Sequence, residues 1–112
     1  MQESVSLGTT EEACIDSCNA VVRVTERCVT ECAVEEDKGE CIRLCRDAAD
    51  LASLLAQLLA RESPRSATVA TAAADAFEAA AEECREHEDD QHCWACVEPL
   101  EEAADTAREL AS

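Results

Sequence analysis

Six of the nine cysteines come as C-x-x-x-C pairs: Cys14/Cys18, Cys28/Cys32 and Cys41/Cys45. The first pair recurs two heptads later, from Cys14 to Cys28 and from Cys18 to Cys32. On a helix, side chains four residues apart stand one above the other on the same face. Positions 14, 18, 21, 25, 28 and 32 therefore form one inward seam, with Val21 and Thr25 in its middle. The rest of the chain agrees with helix. Ala dominates the apolar residues, Gly and Pro occur twice each, and β-branched residues never alternate over a useful length.

The breakers divide the 112 residues into four helices of similar length, expected over about 10–34, 40–60, 65–86 and 92–110. Thr9 is expected to cap the first helix, with Glu12 completing a capping box. Gly39 is read as the breaker between the first two helices and Pro64 as the stop of the second. Pro99 is expected to kink the fourth slightly. Short loops between long helices imply an all-α fold, an antiparallel up-down-up-down four-helix bundle forming a single domain over 1–112.

That topology brings the end of helix one, the start of helix two, the end of helix three and the start of helix four together. Cys28, Cys32, Cys41, Cys45, Cys84, Cys93 and Cys96 should converge there, with His87 and His92 at the rim. Cys14 and Cys18 should lie roughly 20 Å away, at 1.5 Å per residue, among Ala and Leu. Ala48, Leu51, Ala73, Phe77, Leu100 and Ala103 are the expected apolar fill between the two groups.

The formal net charge is −17, and Lys38 is the only lysine beside eight arginines. Such a surface repels nucleic-acid phosphates and anionic lipid, so neither is expected as a partner. The acidic, lysine-poor balance fits a halophilic setting where salt screens self-repulsion; an ordinary solvated acidic surface fits it too. "MQESVSLGTT" has no basic start and no apolar run, and no stretch reaches the length of a membrane span. The expected compartment is therefore the reducing cytoplasm, where the cysteines are thiols.

Thiols stacked on helices offer soft donors to soft ions, and two at i and i+4 can hold one ion in a near-linear arrangement. Cu(I) accepts such low coordination. Zinc prefers four ligands from C-x-x-C knuckles, and iron–sulfur clusters use tighter cysteine runs. A zinc or iron–sulfur protein with a sensing or electron-transfer role is the first alternative; a structural helical interaction module using the Leu51, Leu54, Leu55, Leu58 and Leu59 face is the second. Cys14 and Cys18 read equally as ligands or as small apolar residues. His87 and His92 read as ligands or access-site residues, or else as solvated turn residues. Nothing marks a Cys–His nucleophile with an orienting third group, so catalysis is not expected. Trp94 reads as a rim or partner contact, and the acidic run from Glu86 to Asp90 as a solvated turn.

"CIRLCRDAADLASLLAQLLARESP" (Cys41 to Pro64), "ECREHEDDQHCWAC" (Glu83 to Cys96) and "EACIDSC" (Glu12 to Cys18) resemble the cytosolic copper storage proteins. The resemblance implies a four-helix bundle whose inward thiolates hold several Cu(I) ions, with no enzymatic role. It implies a mouth at the junction of helices three and four, lined by His87 and His92, and a homo-oligomer, a tetramer or dimer. By position, the ligands would be the nine cysteines. Relatives of this type continue cysteines down all four helices. Here Val21, Thr25, Ala48, Ala52, Ala70, Ala73, Phe77, Ala80, Leu100, Ala103 and Ala107 take such positions. Two thiolates per ion then give about four Cu(I).

Overall fold

The computed structural model describes residues 8–111. Four helices account for most of them: α1 (Thr9–Cys32), α2 (Gly39–Ala60), α3 (Ser66–Arg85) and α4 (Gln91–Ala111). There is no strand among the described residues. Each helix packs on its neighbours in sequence, and α1 also packs on α4, closing the ring of a four-helix bundle.

The core is a heptad seam on every helix. α1 buries Cys14, Cys18, Val21, Thr25, Cys28 and Cys32. α2 buries Cys41, Cys45, Ala48, Ala52, Leu55 and Leu59 at the same alternation of four and three. On α3 the seam runs through Ala70, Ala73, Phe77, Ala80 and Cys84, and on α4 through Cys93, Cys96, Leu100, Ala103 and Ala107. Burying the Thr25 hydroxyl leaves nothing unsatisfied, because its Oγ1 donates to the Val21 carbonyl one turn back at 2.7 Å. Leu51 is not core fill. It stands half-buried beside the seam, and Ala52 takes the inward position.

The helix ends depart from the sequence reading in instructive ways. Thr9 is the first residue of α1, not its cap; Gly8 precedes it in extended conformation with no side-chain cap bond, so no capping box forms. α1 stops at Cys32 and leaves Val34 exposed. Gly39 does not break the chain. It opens α2 with no positive φ, and a Cβ there would meet open space. The left-handed residue of that turn is Asp37, at φ 61°.

The α2–α3 turn works the same way. Glu62 sits at φ 54°; its N–H bonds the Leu59 carbonyl at 3.0 Å, and the Ser63 N–H bonds the Leu58 carbonyl at 2.9 Å. These are the two crossed bonds of a Schellman cap with glutamate where glycine is usual. A side chain in that conformation costs about 1 kcal/mol. Glu62→Gly is therefore expected to stabilise the apo bundle by about 1 kcal/mol and raise Tm by about 4 °C in thermal unfolding. Pro99 leaves α4 unbroken from Gln91 to Ala111.

Candidate metal centre

All nine cysteines are reduced and fully buried. Seven gather where α1 and α3 end and α2 and α4 begin. Cys28, Cys32 and Cys93 form a triangle of sulfurs with sides of 3.9, 3.8 and 3.7 Å. The point equidistant from them lies about 2.2 Å from each sulfur, against metal–thiolate bonds of about 2.3 Å. Cys41 lies 4.0 Å from Cys93 and turns the triangle into a four-thiol group. A second four-thiol group holds Cys28, Cys41, Cys45 and Cys84, with Cys45 and Cys84 3.8 Å apart. The two groups share Cys28 and Cys41. Cys96 completes the cluster beside Cys28, Cys45 and Cys84.

The Cys28–Cys32 separation changes the coordination expected of an i, i+4 pair. Two thiolates on opposite sides of one ion need about 4.6 Å between sulfurs, twice the bond length. At 3.9 Å the pair is too close, and Cys93 from α4 supplies a third corner. Three-coordination across two helices is the local geometry.

Proton sharing orders the ionisation of the cluster. Cys28 lies well below the usual thiol range, first through its hydrogen bond with Cys41, with Cys84 and Cys96 also favouring its thiolate. Cys45 falls to about 5, first through its bond with Cys28. Cys84 and Cys96 are the counterparts; their bonds with Cys28 push them up. Burial raises Cys93 and pushes Cys32 to about 12. Several thiols therefore keep their protons at neutral pH until a metal displaces them.

Cys14 and Cys18 stand apart in α1. The hydrogen bond from Cys18 holds Cys14 down at about 7, and Thr106 of α4 assists. Their surroundings are thus not only Ala and Leu. Thr106 was not singled out in the sequence, and its place beside the pair follows only from the register of α4 against α1.

The rim is built by two turns. His92, at the start of α4, brings Nε2 to 3.4 Å from Glu35 Oε1, yet that buried nitrogen has no hydrogen-bond partner. Donor atoms of Cys32, Glu35 and His92 lie within 4.8 Å of one another, as do those of Asp90, His92 and Cys93. His87 sits one turn away on Glu83, at 2.9 Å, and joins no such group among the described residues. Lys38 is the rim residue the sequence did not single out. It is 8% exposed, and its Nζ donates to Glu35 at 2.6 Å and to Asp90 across the gap between turns. So Asp90 is not a freely solvated turn residue, and Lys38 holds its carboxyl below the usual range.

A four-helix bundle with a buried multi-thiol cluster at one end defines a cysteine-rich metal-binding protein of the helical-bundle class. The family model described as copper storage protein matches residues 8–112, and the chain belongs to that family. The cysteine-rich protein YhjQ of Bacillus subtilis is 33% identical over 104 residues, which span 90% of this chain and 95% of that one. The apo structure of copper storage protein 3 from Bacillus subtilis is 34% identical, with a TM-score of 0.84, over 90% of this chain and 98% of that one. The Cu(I)-bound form, BsCsp3, is 32% identical with a TM-score of 0.86, over 93% and 100%. The Streptomyces lividans protein Ccsp, loaded with 10 copper equivalents, is 26% identical with a TM-score of 0.86, over 91% and 83%.

Proposed function

We propose that the chain binds and stores Cu(I) through Cys28, Cys32, Cys41, Cys45, Cys84, Cys93 and Cys96, with His92 and His87 near the mouth and Cys14/Cys18 as a smaller second site. The observation that carries this reading is the triangle of Cys28, Cys32 and Cys93, whose centre is one metal–thiolate bond from three soft donors. The copper-bound relatives support it. The four-thiol groups would also accept a tetrahedral divalent ion such as zinc, which is the second reading. No enzymatic role is proposed. Cys93 lies near His92 and Asp90, but burial raises its thiol instead of activating it. The cytoplasm is the proposed compartment, from the free thiols and from a relative described as cytosolic; no helix is long and apolar enough to cross a membrane. A homo-oligomer, a tetramer or dimer, is also proposed, because Leu54 is 40% and Trp94 50% exposed on the single chain.

Anaerobic Cu(I) titration against a competing chelator tests the reading, with metal analysis of the product. Tight uptake of several equivalents is expected. No tight uptake, or isolation with iron and strong visible bands, would reject it. The same titration has a defined pH dependence. Thiols with raised pKa stay protonated through neutrality, so binding releases protons and affinity rises with pH, for Cys32 up to about 12. Between pH 6 and 8 affinity should increase about tenfold per unit for each proton displaced.

A further inference from the structure

Every cysteine is sealed at 0% exposure, so an ion reaches the cluster only when the bundle opens somewhere. The helix flanks are closed by packed seams. The cluster end is closed by polar groups, and these converge on Lys38.

Lys38 stands at the N-terminus of α2, where the helix dipole disfavours a cation. It is nonetheless nearly buried in a chain of net charge −17, as the only lysine. Two carboxylates account for its place. Glu35 belongs to the α1–α2 turn, and Asp90 closes the α3–α4 turn, its carbonyl accepting the Cys93 and Trp94 amides at 3.1 and 2.9 Å. One ammonium group thus ties the two helical hairpins together above Cys32 and Cys93. It also takes Glu35 Oε1, the same oxygen that approaches His92 Nε2. The unpaired Nε2 of His92 is the cost of that arrangement.

We infer that Lys38 is a latch that controls access to the thiol cluster. With the Lys38–Asp90 bond made, the turns are held together and the sulfurs are sealed. Breaking it separates the turns and exposes Cys32 and Cys93. Lys38 is no ligand, so it sets the rate of metal transfer and leaves the number of ions held unchanged. Its copper arm rests on the storage reading; its thiol arm does not.

The experiment compares wild type, Lys38→Met, Lys38→Arg and Asp90→Asn, each checked for helicity by circular dichroism. Apo proteins are alkylated with iodoacetamide, and copper-loaded proteins are mixed anaerobically with excess chromophoric Cu(I) chelator. Lys38→Met and Asp90→Asn should both be alkylated about tenfold faster, as for loss of one charge-assisted hydrogen bond from the closed state. Both should release copper faster by a similar factor, with Lys38→Met loading the same number of ions as wild type. Lys38→Arg should restore slow rates. The two fast variants change charge in opposite directions, which separates a latch from simple electrostatic attraction. Opposite shifts in rate, or unchanged alkylation in both, would overturn the latch. If wild type holds no copper while alkylation follows the expected order, the storage reading fails and the latch stands.

Discussion

Cys28→Ala is expected to remove most tight metal binding across the cluster, not at one position in it. Cys28 belongs to both four-thiol groups, and it lies between Cys32 and Cys93 on one side and Cys45, Cys84 and Cys96 on the other. Its removal takes one corner from the triangle and one from the second group at once. It also removes the sulfur that carries the first negative charge, so the remaining thiols lose the partner to which they donate. Loss of groups that merely orient ligands costs about 10- to 100-fold in metal affinity, and loss of a shared ligand should exceed about 100-fold. Cys32→Ala is the control, because Cys32 belongs to only one of the four-thiol groups. Competition titration of the two variants should show Cys28→Ala losing most tightly held copper and Cys32→Ala losing a fraction. Equal losses would mean that the two groups do not work as a shared cluster. Helicity should persist in both, since the exchange removes one sulfur atom and alanine is the residue most favourable to helix.

Phe77→Ala should do the reverse, damaging the fold and sparing the site. Phe77 is the only phenylalanine and the largest fully buried side chain, in a core otherwise filled by Ala, Leu, Val, Cys and the single Thr25. Its alanine neighbours have no side-chain freedom with which to fill the void, and the bundle must keep its helix spacing along the whole seam. A loss of about 3–5 kcal/mol is expected, read by urea or thermal unfolding of the apo protein. At this chain length that lowers Tm by roughly 10–20 °C. Below the transition, the count of copper ions should match wild type, because Phe77 lies in the apolar part of α3 and Cys84 lies seven residues further on. A copper count that fell with stability would show that the two parts of the core are coupled.

These contrasts follow from a pattern visible in the chain itself. Cysteines at four- and three-residue steps could be placed on one face of each helix, and the antiparallel order then brought seven of them to one end. The eleven non-cysteine positions read as seam, from Val21 to Ala107, are all fully buried. The turns were less legible. Thr9 looks like a cap, but Gly8 occupies that place without a side-chain bond. Asp37 and Glu62 adopt left-handed backbone where glycine is usual; at Glu62 the crossed carbonyl bonds at the helix end outweigh its local preference. The rim was least legible. Glu35, Lys38 and Asp90 look like any solvated turn, and only the meeting of two turns distant in sequence makes them a bridge. Coordination number was hidden for the same reason: spacing within α1 gives a pair, and the third sulfur comes from α4.

The shared heptad register has a consequence for how this architecture can diversify. Each step along the bundle axis is a layer that can hold sulfur or hydrocarbon, and alanine differs from cysteine by one sulfur atom. Ala48, Ala52, Ala73, Ala80 and Ala103 already point inward at full burial. Single codon changes at such layers would lengthen the sulfur-lined interior by increments without altering helix lengths, turns or topology. Capacity is therefore a trait that natural selection can raise or lower layer by layer, while the scaffold stays constant.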